Sequence, residues 1–301
     1  MRGFISKILL YIFLLVIIDL LLGDIFDNLL LKARGGDNAR NNYICNNIDE
    51  DVLVFGSSRA FHHYNSQILS DSLGLSCYNC GQDGNGIILN YGRLMMIKEK
   101  HIPKIIIYDV LPSADLYSGE DNRKYLGWLK AYHERKGIKQ IFNDVDPIEN
   151  IKLYSSMYKY NSKFLQIISD VIHPMQNEDI QGYRPIHALF DPLKVNAKPP
   201  IIDTTIDSLK LSFLNSFMTT AQGSFLIFVV SPIWYGMDTC QISPIKEMCK
   251  RNRIPLLNFS NSEKYVHNDR FFKDGKHLNS LGADEFTRDL CIAIKSLDCM
   301  N

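Results

Sequence analysis

The chain has 301 residues, 46% of them hydrophobic, enough for one large packed domain or two small ones. Its 33 basic and 33 acidic residues cancel to a formal net charge of zero, which removes any general electrostatic attraction to nucleic acid. No nucleic-acid partner is expected.

The first element in chain order is apolar almost without a break, FISKILLYIFLLVIIDLLLGDIF, and covers the ~20 residues a helix needs to cross a bilayer. Residues 1–31 read as an uncleaved membrane anchor: the apolar run is long for a signal peptide, and no A-x-A-like cleavage site follows it. Lys7 lies near one end, where its stem can snorkel, and Asp19 lies near the other. Arg2 and Lys7 favour a cytoplasmic amino end and so an extracytoplasmic, periplasmic body, a bias that Lys32 and Arg34 weaken. The polar, glycine-containing KARGGDNARNN reads as a tether over residues 32–47, with the folded body expected from residue 48.

Within the body, apolar runs alternate with helical spacing. DVLVF is a strand, and NSQILSDSLG is a helix with Asn65 as N-cap and Gly74 at its close. LSCYN is a second strand, GIILNYGRLMMIKEK a second helix, and KIIIYDV a strand of the kind buried on both faces. The rhythm resumes with a helix at about 205–221, SFLIFVV, a helix at about 242–252, PLLNF, and a last helix in NSLGADEFTRDLCIAIKSL. Such alternation predicts a parallel sheet with helices on both faces. Residues 115–200 break it, being rich in Tyr, Lys and Asn and without a core strand. They read as a mostly helical insertion capping one end of the sheet. Its aromatics, Trp128 among them, are either a sugar-binding wall or, as helical spacing favours, core.

Seven cysteines leave the redox setting open. Cys77 and Cys80 form a C-x-x-C, but they close a strand where a redox pair opens a helix, which favours a structural role. Cys240 and Cys249 are a further possible pair. His62 and His63 are adjacent, so their side chains diverge, and no partner cluster accompanies them; no metal and no cofactor are expected.

Three stretches carry chemistry. In VFGSSRA, a buried strand ends on a glycine and two serines; in an open parallel sheet that carboxyl edge is where ligand chemistry collects. A serine nucleophile needs a base oriented by a third group, and donors for the oxyanion. DGKHLNSLGADEF offers Asp274 and His277 in one turn ahead of the last helix, and YNCGQDGNG offers glycine amides between the second strand and the next helix. As a phosphate loop the latter fails, lacking the following Lys and Ser/Thr.

Taken in that order, VFGSSRA, YNCGQDGNG and DGKHLNSLGADEF resemble the first, second and fifth sequence blocks of the SGNH/GDSL hydrolase superfamily. The resemblance covers residues 50 to 297 apart from the 115–200 stretch. It implies a flavodoxin-like three-layer α/β/α fold and serine esterase or acyltransferase activity. The family's G-D-S falls on Gly56, Ser57 and Ser58, making Ser58 the nucleophile, with Ser57 where the family has Asp. Asp274 and His277 match the orienting acid and the general base. The oxyanion glycine matches Gly84, five positions after Asn79, with Gly81 as fallback. The family's third-block Asn is missing from YDVLPSADLY; Ser113 lies nearest its place, with Asp109 or Asn85 as other candidates. Arg59 reads as a substrate-steering cation or a structural arginine.

The resemblance and the anchor together imply an acylated small molecule or carbohydrate, of the cell envelope or exported, as substrate. The missing Asn leaves a second reading, a degenerate relative that binds polysaccharide or a partner without catalysis. A thiol redox protein using Cys77 and Cys80 is the third.

Overall fold

The structure, a computed structural model, describes residues 2–161, 163–173, 179–195 and 203–297. In chain order the helices are α1 (Arg2–Leu31), α2 (Gly36–Asn46), α3 (Ser58–His63), α4 (Ser66–Leu73), α5 (Ile87–Lys98) and α6 (Pro112–Asp115). Then come α7 (Ile138–Val145), α8 (Pro147–Lys152), α9 (Ser156–Tyr160) and α10 (Phe164–Ile172). The last three are α11 (Ser208–Thr220), α12 (Thr239–Asn252) and α13 (Ser280–Lys295). The strands are β1 (Val52–Gly56), β2 (Cys77–Asn79), β3 (Ile105–Asp109), β4 (Phe225–Val230) and β5 (Leu256–Asn258). They belong to two compact units, Met1–Asn47 with Leu126–Asn177, and Ile48–Tyr125 with Glu178–Asn301.

The second unit holds the sheet. Its order is β2-β1-β3-β4-β5 and every pairing is parallel. β1 and β3 are buried along their whole length, which explains why they read as continuous apolar runs rather than alternating ones. Alternate residues still choose sides. Val52, Val54, Ile105, Ile107, Ile227 and Val229 share a core with Phe286 and Leu290 of α13 and Leu69 of α4. On the opposite face, Phe55 and Tyr108 meet Phe217 of α11 at ring-centroid distances of 5.5 and 4.9 Å. Helices cover both faces of the parallel sheet, as the alternation predicts. The α4 caps also follow the sequence: Asn65 accepts from the amides of Gln67 and Ile68, and Gly74 turns left-handed at φ +66°.

The first unit departs from the sequence reading. Residues 36–46 are helical rather than a tether, and the asparagines are what pack. Asn38 Nδ2 donates to Asp170 at 2.8 Å, and the Tyr132 hydroxyl donates to Asn42 Oδ1 at 2.6 Å. A helix held by buried polar pairs carries no apolar periodicity, so hydropathy does not register it. The stretch read as an inserted cap is likewise redistributed: residues 126–177, with Trp128, cluster with the N-terminal segment rather than with the sheet unit. Asp19 shows how. Its carboxylate accepts from the Ser155 hydroxyl and from the amides of Ser156 and Met157 at 2.9, 2.9 and 2.8 Å, capping α9 from α1.

Candidate active site

β1 delivers the first functional side chain. Gly56 ends the strand at φ +143°, where an added Cβ would lie 2.7 Å from the Asp109 carbonyl, so only glycine lets β1 run this close to β3 and then turn. Ser57 is the N-cap of α3, its hydroxyl accepting from the Arg59 amide at 3.4 Å. Ser58 is thereby the first residue of α3, with an N–H that no carbonyl of its own helix can reach.

The last loop before α13 delivers the rest. Residues 272–278 form a narrow turn closed by the Phe272–Leu278 bridge and by the Lys273 amide donating to the His277 carbonyl at 2.9 Å. Inside it, Asp274 Oδ1 accepts from the amides of Lys276 and His277 at 2.8 and 2.9 Å. The same carboxylate faces His277 Nδ1, with its oxygens at 3.0 and 3.1 Å. Burial works against that carboxylate. The hydrogen bond and attraction of His277 and the two loop amides outweigh it, holding Asp274 well below the usual carboxylate range. With Nδ1–H donating to Asp274, Nε2 is left as an acceptor, and Ser58 Oγ stands 2.9 Å from it.

Two neighbours lock this geometry. His63 is fully buried: Nδ1 bonds the Ser231 hydroxyl at 3.0 Å, and Nε2 accepts from the amide of Leu278, next to His277, at 3.0 Å. An imidazole accepting through Nε2 is neutral, and burial first, then the neighbouring His277 and Arg59, push its pKa well below the ordinary histidine value. Asn79 performs the matching task beneath α3. Its Nδ2 donates to the carbonyls of Ala60 and Tyr64 at 2.7 and 3.0 Å, and its Oδ1 accepts from the Gly81 amide at 2.9 Å. Neither role is signalled by spacing in the sequence: His63 reads only as half of a His-His pair, and Asn79 only as the start of the glycine stretch.

Ser58 and His277 open onto a cleft of about 690 Å³. Leu111, Ile233 and Met237 give it apolar wall, and Ser113, Glu120, Asp238, Gln241 and Lys276 give it polar wall. Ser113 therefore lies in the same cleft as Ser58. Gly84 stands in the loop after β2, exposed, at φ +65°, and is not among the residues lining the cleft. Gly81 drops out as its substitute because its amide is already bonded to Asn79.

The other candidate residues are engaged elsewhere. Arg59 borders the cleft but is 2% exposed, its Nε donating to Asp109 at 3.2 Å and its Nη2 to the Val110 carbonyl at 2.6 Å. That engagement makes it a brace between α3 and the end of β3 rather than a steering cation; only its Nη1 lacks a partner. Asp109 also accepts from the Tyr64 hydroxyl and the Ser231 amide, at 2.7 and 3.0 Å, and so is no oxyanion donor. Asn85 turns its Nδ2 back to the Asp83 carbonyl at 2.7 Å. Cys77 and Cys80 are both buried, and burial pushes the Cys77 thiol well above its ordinary value, away from the thiolate that redox exchange needs. His62 bonds the Arg184 carbonyl through Nδ1 at 2.7 Å and Asp83 through Nε2 at 3.0 Å.

No protein-family model and no curated protein matches the sequence. Among solved structures, the chain is similar to a lipolytic protein of the G-D-S-L family from Desulfitobacterium hafniense DCB-2, at 11% identity and a TM-score of 0.38 over 80% of this chain and 98% of that one. It is also similar to a family two carbohydrate esterase from Clostridium thermocellum, solved in complex with cellohexaose, at 10% identity and a TM-score of 0.36 over 81% of this chain and 63% of that one.

Proposed function

We propose that the chain is a membrane-anchored serine esterase or O-acyltransferase acting on acyl esters of a cell-envelope or exported carbohydrate. The observation that carries the catalytic part is the relay Ser58–His277–Asp274, with steps of 2.9 and 3.0 Å between residues from opposite ends of the chain. As Ser58 Oγ attacks the ester carbonyl, its proton passes to His277 Nε2, and Asp274 stabilises the imidazolium through Nδ1–H. The tetrahedral oxyanion is met by the amide of Ser58, with the Ser113 hydroxyl in the place of the family's Asn. Collapse expels the alcohol, which takes the proton from Nε2 and leaves an acyl ester on Ser58. Water then gives its proton to Nε2 and attacks, releasing the acid; a sugar hydroxyl doing the same gives transfer instead.

The cleft supports the substrate class. Leu111, Ile233 and Met237 suit an acyl chain, whereas Glu120, Asp238, Gln241 and Lys276 are groups that hydrogen-bond vicinal hydroxyls. The periplasmic placement rests on Arg2 and Lys7 ahead of the apolar run, and a reporter fused after residue 301 tests it by being active only outside the cytoplasm.

The test of activity is turnover of p-nitrophenyl acetate by the full chain in vesicles, with and without an oligosaccharide acceptor. Release of p-nitrophenol that vanishes in Ser58→Ala supports an acyl-enzyme, and acetylated acceptor identifies transfer. Equal rates in wild type and Ser58→Ala would leave the degenerate, binding-only reading in its place.

A further inference from the structure

The helical unit leaves apolar side chains uncovered along α8, α9 and α10. In α8, Ile148 and Ile151, one turn apart, are both exposed, Ile151 at 64%. In α10, Leu165 is 69% exposed and Ile172, two turns on, is exposed with it, while Ile167 and Asp170 on the other side are buried. Between these helices Tyr154 and Met157 are exposed as well. Water does not favour such exposure, and the packing of α9 and α10 on α1 indicates what covers these side chains.

α1 has two parts. From Gly3 to Ile18 its side chains are exposed all round. From Asp19 onward it has sides: Asp19, Gly23, Phe26, Asp27 and Leu30 recur at helical spacing and pack on α9 and α10. An added Cβ on Gly23 would collide with Ser156, whose side chain therefore packs directly against the α1 backbone. Leu20, Leu21, Ile25 and Leu31, on the opposite side, stay exposed.

The depth of that junction follows from arithmetic. The sixteen residues Gly3–Ile18 make about 24 Å of helix at 1.5 Å per residue, short of the ~30 Å hydrocarbon core of a bilayer. The span must therefore continue past Asp19, to the level of Leu20, Leu21 and Ile25. Asp19 is bonded at that level to residues 155–157. Whatever holds α9 there holds it at the acyl-chain boundary. Lysines over aromatic rings accompany it, Lys130 over Tyr158 at 4.2 Å and Lys139 over Tyr154 at 5.7 Å, a pairing suited to headgroup depth.

We propose that the unit formed by residues 2–47 and 126–173 is a membrane-interface module in which α8, α9 and α10 lie against the lipid, with Ile151, Met157 and Leu165 among the acyl chains and Tyr154 at the headgroups. The reading extends the anchor assignment and rests on it. It also implies that α1 is retained, because cleavage beyond it would strip the cap from α9 and the Asp27 carboxylate from Lys159.

The test uses the full chain in phosphatidylcholine vesicles, with Trp128→Phe and Trp234→Phe removing both native tryptophans. Leu10→Trp, Ile151→Trp and Leu165→Trp are then placed one at a time. Dibrominated lipid is expected to quench all three at least twofold, with iodide quenching none. Iodide quenching at 151 and 165 with lipid quenching only at 10 overturns the module and leaves the anchor. Protection of 151 and 165 from both quenchers assigns the surface to a second copy or another protein, and also overturns it. Absence of lipid quenching at 10 removes anchor and module together. If the double Phe background fails to fold, a fluorophore on cysteines at the same three positions, with Cys240→Ser and Cys299→Ser, gives the same readout.

Discussion

The amide of Leu278 donates to Nε2 of His63 at 3.0 Å, so the residue beside His277 is held by a buried imidazole that follows Ser58 by five positions. One short helix thus carries both Ser58 and the anchor of the loop that bears His277. His63→Ala is expected to lower kcat by ~10–10²-fold with little change in KM, because the base loop loses its register. His63→Gln, which restores an acceptor near Nε2, is expected to recover part of the loss. Steady-state kinetics on a p-nitrophenyl ester decide it; equal kcat in wild type and His63→Ala would remove the positioning role.

The same histidine sets a pH dependence of stability. Its folded pKa lies below the free value of 6.5, so in the window beneath 6.5 the unfolded chain binds a proton that the fold excludes. The contribution of His63 is therefore fully present above 6.5 and falls with pH below it, by at most about 1.4 kcal/mol per pH unit. His63→Gln is expected to flatten that slope in denaturant unfolding at pH 7 and pH 5.5. Parallel slopes in the two proteins would contradict it.

Asp274 fixes which nitrogen of His277 carries the proton. Asp274→Asn can donate to Nδ1 and so favours the wrong tautomer, and a loss of ~10³–10⁴ in kcat/KM is expected. A loss under tenfold would show that the carboxylate is not the orienting group.

Ser113 is the candidate side-chain oxyanion donor, and Ser113→Ala is expected to lower turnover ~10²–10³-fold with KM nearly unchanged. Thr204→Ala, a hydroxyl lost from the same cleft, is the control and is expected to leave kcat intact. Equal effects of the two substitutions would make Ser113 only a piece of wall.

Asp19→Leu removes the acceptor of three hydrogen bonds from residues 155–157. The cost is expected to be about 1–3 kcal/mol, read as faster proteolysis within residues 126–173. Unchanged cleavage rates would mean that the cap contributes nothing to that unit.

Much of the sheet unit is legible in the sequence, because its strands are apolar runs buried on both faces and its helices carry conventional caps at Asn65 and Gly74. Ser58, Asp274 and His277 are legible for a different reason: a reactive hydroxyl, a carboxylate and an imidazole stand at the carboxyl ends of strands, where the parallel topology brings distant loops together. What hydropathy misses is polar. α2 packs through Asn38 and Asn42, α9 is capped by a carboxylate 136 residues earlier, and His63 acts through a single ring nitrogen. Each rests on long-range hydrogen bonds, and a hydrogen bond has no period along the chain. Arg59 is left open between two roles for the same reason, its partner Asp109 being a neighbour only once β1 and β3 pair.

The central claim is that Ser58 is a hydroxyl made nucleophilic by His277. A fluorophosphonate probe on the full-length chain, followed by peptide mass spectrometry, measures this directly. The phosphonyl adduct is expected on Ser58, with the labelling rate reduced at least ~10²-fold in His277→Ala. An adduct on another residue, or labelling of Ser58 at the same rate without His277, would contradict it.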